Sequence, residues 1–243
     1  MLKLYIILIM IIAHYLRALK VRITNKVNTY IYAGDKCLCM LCNWKGRAFP
    51  KGICPSCKSF KRTRLLPYSL SFFTPETTSI LHIAPNISEY YFIEKNTKYR
   101  TYDRLNITKA DHINVVGDIT NFDKKDNKYT FIISWHVMEH ISDDKKAISE
   151  MYRVLKPEGS LLLCVPIFPD GNKKTFEDKN SDPSTYSMVN GHPDHVRSCG
   201  LDYYKRFENL GFKTQTLSVK NLKNHDIELF GLCKTHIVWL FTK

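Results

Sequence analysis

Acidic residues are nearly missing from the first third of this chain: residues 1–75 hold one, Asp35, against 13 Lys and Arg. The rest holds 22 acids against 23 Lys and Arg, so the net charge of +13 belongs to the N-terminal third, and any signal for a polyanionic partner is confined there. Glycine is scarce, 10 in 243 residues, and no G-x-G-x-x-G follows a strand, which argues against a dinucleotide dehydrogenase. Long apolar runs are missing too. The uncharged N-terminal run, Leu4 to Leu16, spans 13 residues, whereas a bilayer-crossing helix needs about 20.

What is present falls into three parts. Residues 1–24 form a hydrophobic and basic helix. No small-x-small cleavage site follows the run, and Arg17, Lys20 and Arg22 lie beyond it, so a membrane-surface or short anchoring helix is preferred to a cleaved signal peptide. A helix docked on its own domain is the alternative. If the helix spans, the positive residues on its C-terminal side keep the main domain in the cytoplasm, which is the expected location, and a membrane partner would be an anionic surface.

Residues 36–66 hold five of the eight cysteines. Cys39-x2-Cys42 and Cys54-Pro-Ser-Cys57 are two C-x2-C knuckles with the spacing of a zinc ribbon, each placing two sulfurs on one turn. Disulfide pairing fits less well, because Cys164, Cys199 and Cys233 are scattered singly, and two redox motifs this close read better as ligands. Cys37 could replace Cys39. Next comes KSFKRTR, with Lys58, Lys61, Arg62 and Arg64. It reads as a phosphate-contacting segment or as a solvated helix face.

Residues 77–243 alternate strand and helix patterns. TSILHIA, KYRTYDRL, DHINVVGDIT, YTFIISWHV and SLLLCVPI read as strands, SEYYFIEKN and SDDKKAISEMYRVLKPEG as helices, the latter capped by Ser142 and ended by Lys156-Pro157-Glu158-Gly159. That order predicts an α/β fold with a parallel sheet and a ligand site at the carboxyl ends of its strands. His82 to Asn86, Asp103, Asp118 to Thr120, and Ser134 to His140 collect there. Acids at successive strand ends suit a nucleoside.

From residue 78 onward the chain resembles the class I S-adenosylmethionine-dependent methyltransferases, through VVGDIT, FIISWHVMEHISDDKKAISEMYRVLKPEGSLLLCVPI and LGF before a final antiparallel pair. More narrowly it resembles a bacterial subgroup with a cysteine-knuckle module, an H-x-A-P-E loop (here LHIAPN) and a DHVR segment (here DHVRSCG). The resemblance implies a Rossmann-like seven-stranded sheet with an antiparallel final strand. It implies that His82, Ile83, Ala84, Pro85 and Asn86 replace the glycine-rich cofactor loop, that Asp103 binds the ribose, that Asp118 and Ile119 frame the adenine, and that Trp135, His136 and Met138 lie beside the cofactor. The sequence departs from the family at Asn86, where the subgroup has Glu, and at Thr130, where Asp is usual.

The connection from Phe168 to Gly200 is long enough to be a lid. Glu177, Asp178, Asp194 and Arg197 are its candidate substrate contacts, and His140 or His195 the candidate general base. The expected reaction is methylation of a small-molecule, sugar or glycan-precursor acceptor, on oxygen. Alternatives are an RNA methyltransferase that holds nucleic acid with the zinc module, and a non-catalytic cofactor- or partner-binding domain. Oligomeric state is left open.

Overall fold

The computed structural model describes residues 2–178, 180 and 182–243. Its first helix, α1 (Leu2–Ile31), continues past residue 24 and shows exposed Tyr5, Ile9, Met10, Tyr15 and Leu16. Among the described residues no helix is long and apolar enough to cross a membrane. The end of α1 is tied to the cysteine module: Trp44 Nε1 donates to the Thr29 carbonyl at 3.2 Å and Arg47 to that of Ile31 at 2.7 Å. The module consists of β1 (Ala33–Leu38), antiparallel to β2 (Lys45–Gly46), and a turn-rich segment leading into α2 (Lys61–Phe73).

The remaining elements are β3 (Ser79–Ile83), α3 (Ile87–Asn96), β4 (Thr101–Asn106), β5 (Val115–Val116), β6 (Tyr129–Trp135), α4 (Asp144–Val154), β7 (Leu155–Cys164), α5 (Tyr186–Asn190), α6 (Lys205–Glu208), β8 (Lys213–Ser218), α7 (Asn224–Leu229) and β9 (Ile237–Thr242). The last seven strands named, from β3 on, form one sheet in the order β5-β4-β3-β6-β7-β9-β8, with β9 antiparallel to both neighbours and the other pairs parallel. The fold is the expected Rossmann-like α/β sheet with its antiparallel final strand.

Why these segments form this sheet follows from burial on two faces. Every residue of β3 and β6 is buried, as strands covered on both sides require. Side chains alternate: Leu81, Ile83, Ile132 and Leu163 pack with α4, while Ile80, Phe131, Ile133 and Leu162 pack with α2, α3 and α7. Asn86 caps α3 in a capping box with Glu89. Helix α4 is capped by Asp143, which accepts from the Lys146 amide at 3.2 Å, rather than by Ser142. Nor does Lys156-Pro157-Glu158-Gly159 end that helix. Leu155 already pairs with Tyr129, and the next four residues bulge before Ser160 pairs with Phe131, so the ladder begins ahead of the proline.

One side chain joins module and sheet domain. Arg64 is fully buried. It donates to the module carbonyls of Ser59 (2.8 Å) and Gly52 (3.1 Å), and to those of Phe230 (3.0 Å) and Gly231 (2.8 Å) in the turn after α7. Phe49 covers it, with the guanidinium 3.9 Å from the ring centroid. Gly231 has φ +57°, and a Cβ there would lie 2.4 Å from Phe49, so the seam needs glycine. Arg64→Met strands four carbonyls; it is expected to cost about 3–5 kcal/mol, the cost of breaking a buried charged cluster, read as a lower urea midpoint.

Candidate active site

Strands β3 and β6 are neighbours from which the chain departs in opposite directions, β4 and β5 to one side and β7 onward to the other, so a crevice opens at their carboxyl ends. A cavity of ≈ 270 Å³ lies there. Its apolar wall includes Ile83, Leu105, Ile107, Ile119, Val137 and Ile141, and its polar positions are Asn106, Asp118, His136 and His140. Both central strands end in a left-handed residue on this wall, Ala84 (φ +47°) after β3 and His136 (φ +55°) after β6. Each is fixed by a backbone bond from its amide, Ala84 to Leu105 at 2.7 Å and His136 to Cys164 at 2.8 Å. Strain at non-glycine residues persists where the surroundings impose it, and it gathers at functional sites.

Of the expected cofactor residues, Ile83, Ala84, Asp118, Ile119 and His136 line this cavity, and six do not. Asp103 pairs with Leu81 in the middle of β4, two residues before Leu105, and its carboxylate accepts from Lys128 Nζ and Tyr129 Oη, each at 2.6 Å. Two strand residues are about 6.6 Å of rise, so this carboxylate falls short of the crevice, and Asn106 occupies the strand end instead. His82 shares the face of Ile80, not that of Ile83. It is fully buried against Tyr102 Oη (2.9 Å) and Glu89 (3.7 Å). Asn86 serves the α3 cap, and the Pro85 carbonyl is 2.9 Å from His112 Nε2. Trp135 lies in the opposite apolar layer, donating to the Arg62 carbonyl at 3.0 Å, and Met138 is wholly buried in the core.

The long connection after β7 is zipped onto the segment that follows β6. The Val196 amide donates to the Glu139 carbonyl at 3.0 Å. Arg197, fully buried, donates to the carbonyls of Met138, Ile141 (2.7 Å) and Ser142 (3.1 Å) and pairs with Glu177 at 3.1 Å. Glu177 also pairs with Arg206 at 3.0 Å, and Arg206 with Asp144. Arg197 and Glu177 are therefore anchors rather than free substrate contacts, since a buried cation must keep its partners. Asp178 lines a separate recess with Ser142 and Tyr186, and the Asp194 side chain is exposed. This zipper sets the rings of His140 and His195 4.7 Å apart, with Glu139 beside them. Burial holds His195 below its ordinary pKa. Burial alone would push Glu139 up, but the His136 hydrogen bond and the nearby His140 outweigh it and hold the carboxyl below its usual range.

Sequence reasoning missed Leu105, Asn106, Ile107, Gly117 and Ile141 on the wall, and it placed Val137 and Glu139 at the strand end, within Ser134 to His140, without giving them a role. Asn106 had one signal: TYDRLN runs three residues past Asp103 before its loop.

Residues 77–163 match the family model described as "Methyltransferase domain". These residues form a methyltransferase domain. The match covers 87 of the chain's 243 residues, and the enzyme class it supports is a methyltransferase. Among solved structures it is similar to an S-adenosylmethionine-dependent methyltransferase from Archaeoglobus fulgidus, at 14% identity over 74% of this chain and 94% of that one, TM-score 0.52. A candidate methyltransferase from Bacillus halodurans is similar at 15% identity, 73% and 98% coverage, TM-score 0.50. A candidate sarcosine dimethylglycine methyltransferase from Galdieria sulphuraria is similar at 18% identity, 74% and 84% coverage, TM-score 0.50. Likeness at such identity concerns the fold. No curated protein matches the chain.

In front of the methyltransferase domain, the sulfurs of Cys39, Cys42, Cys54 and Cys57 lie within 4.8 Å of one another, with Cys39–Cys57 at 3.6 Å and Cys42–Cys54 at 3.8 Å. Cys37 is buried outside this group.

The first strand and helix of the sheet domain, β3 and α3, carry a pH signature. Burial lowers His82 to about 3 and raises Glu89 to about 8. An acid whose folded pKa exceeds its unfolded value near 4.3 loses stability as pH rises through that interval, whereas the His82 contribution is already flat above pH ~6.5. Wild-type melting temperature is expected to fall between pH 6.5 and 8 on account of Glu89. Glu89→Gln, which keeps an acceptor for the Asn86 amide, should flatten that fall in a thermal-melt series; an unchanged slope would contradict the assignment.

Proposed function

We propose that this methyltransferase binds S-adenosylmethionine in the 270 Å³ cavity and methylates a hydroxyl oxygen of a small, anionic, sugar-like acceptor. The observation that carries the acceptor class is a second recess of ≈ 460 Å³, lined by Lys51, Gly52, Phe60, Lys61, Arg62 and His236. It adjoins the cavity through His136 and His236, whose ring centroids are 6.1 Å apart. Three cations and no carboxylate line it, which suits a phosphate or carboxylate group. Its size suits one small acceptor, not an RNA duplex.

When bound, S-adenosylmethionine supplies an electrophilic methyl group on a sulfonium. Ile107 and Ile119 offer the adenine apolar surface, and Asp118, exposed on the wall, offers a carboxylate to the nucleoside. Asn106 takes the strand-end place expected of Asp103. Methyl transfer forms a bond to the acceptor oxygen, breaks the carbon–sulfur bond and releases the hydroxyl proton, which the His140–His195 pair is placed to receive. Calorimetry should show micromolar binding of S-adenosylmethionine, weakened about tenfold to a hundredfold in Asp118→Ala by loss of a charged hydrogen bond. Paired substitution of Lys61 and Arg62 by Ala should raise the acceptor KM in mass-spectrometric methylation assays and leave cofactor affinity unchanged. Absence of cofactor binding would sink the proposal.

The four-cysteine group fits zinc. A tetrahedron with zinc–sulfur bonds of about 2.3 Å has sulfur–sulfur edges near 3.8 Å, against 3.6 and 3.8 Å here. Cys39, Cys42, Cys54 and Cys57 would hold the ion, which supplies the folding free energy that so small a module lacks. Native mass spectrometry should find bound zinc, lost in Cys54→Ser. The exposed apolar positions of α1, with no acid in the helix, support docking on an anionic membrane surface.

A further inference from the structure

Glu139, His140 and His195 lie outside the zinc module, and each offers a ligand atom within 4.8 Å of the other two. The hydrogen bonds around them decide which atoms are free. His140 Nδ1 is 3.1 Å from the Asp194 carbonyl oxygen, and His195 Nδ1 is 3.1 Å from that of Asn190. A carbonyl oxygen only accepts, so each Nδ1 carries a hydrogen, and in the neutral ring each Nε2 presents a lone pair. Both rings are therefore oriented as metal-ligating histidines are, through a second-nitrogen bond to a fixed acceptor. The buried Asn190 side chain also donates to the His195 carbonyl at 2.7 Å, fixing the backbone that carries the ring.

The lone pair of His140 Nε2 faces the Glu139 carboxylate, 3.9 Å from Oε1. Glu139 is 1% exposed, and its Oε2 is buried without a hydrogen-bond partner. Among the described residues no Lys or Arg pairs with it; His136 Nδ1 lies 3.4 Å from Oε1. A buried carboxylate oxygen with no donor, next to neutral imidazole nitrogens, is an unfavourable set of like partners that a proton or a metal ion between them relieves. His192, although its ring is 4.9 Å from that of His195, accepts the Asp194 amide at its Nδ1, which removes that lone pair from the group.

We infer that Glu139, His140 and His195 bind a divalent transition-metal ion at the edge of the cofactor cavity, with open positions facing the acceptor. Two imidazoles and one carboxylate are a recurrent three-ligand set for such ions, and three protein ligands leave room for a substrate oxygen. Ligand bonds of about 2.0–2.2 Å require the three atoms to draw somewhat closer than 4.8 Å, which the half-exposed His140 ring can do by rotation. This deepens the proposed methylation: a metal-bound hydroxyl would lose its proton to water more readily, and with the ion bound His140 and His195 hold the metal instead of accepting that proton.

The test uses the full chain, loaded with zinc, desalted, and analysed for metal per protein by native mass spectrometry. Wild type is expected to hold two ions, His195→Ala and Glu139→Gln one, and Cys54→Ser one. Cobalt substitution separates the sites, because the strong thiolate-to-cobalt absorption should persist in His195→Ala while one cobalt per chain is lost. His140→Ala, at a more exposed position, repeats the test should Glu139→Gln unfold. Equal metal content in wild type, His195→Ala and His140→Ala overturns the site. Cofactor calorimetry on the same samples keeps the readings apart: a metal-free cluster with intact S-adenosylmethionine binding sinks only this inference, whereas lost cofactor binding in wild type sinks the methyltransferase assignment of the cavity.

Discussion

The buried guanidinium of Arg64 is the joint on which the arrangement of the molecule depends. It spans 12 residues back to Gly52 and 167 forward to Gly231, satisfying carbonyls on both sides of one seam. Burial lowers its pKa, while the neighbouring Cys39, Cys54, Cys57 and Cys37 oppose that shift, so the cation sits beside the four-cysteine group. Because Arg64 lies in the first turn of α2, fixing it also fixes Lys61 and Arg62, and the Trp135 indole holds the same turn at the end of β6. The cationic recess is thus a product of docking, built from the module and the sheet domain together.

A second constraint acts at the sheet centre. Ala84 and His136 turn the chain sharply away at the ends of the two strands that flank the crevice, and each donates its backbone N–H to a carbonyl of a neighbouring strand. Such a turn lets the backbone itself form the cavity floor, the task glycine usually performs. The sharp turn after β6 also starts the run that carries His136 and His140 onto one wall, with Glu139 buried behind them.

Much of the fold was legible in the sequence, because apolar runs buried on both faces, a capped amphipathic α4 and strand–helix alternation leave few other architectures. The cysteine spacing was equally plain. What could not be read was where each strand stops and which way it faces. Asp103 looked like a strand-end acid because its loop could not be told from the last residues of β4, and the pairing with β3 continues for two more residues, Arg104 and Leu105. His82 follows a period of two, so one step separates a crevice residue from a core histidine. Arg197 and Glu177 looked like exposed loop charges, since nothing local shows that residues 138–142 turn their carbonyls toward them.

The knot of Arg197, Glu177, Arg206 and Asp144 fastens the two ends of the post-β7 connection, largely through main-chain carbonyls that any sequence would provide. His195 is positioned by that knot and by Asn190, so the stretch between Glu177 and Asn190 bears little responsibility for placing the histidine. Insertions or exchanges there would leave the chemical groups in register. The placement of the two rings is therefore insulated from that stretch, whose sequence can drift without moving either one.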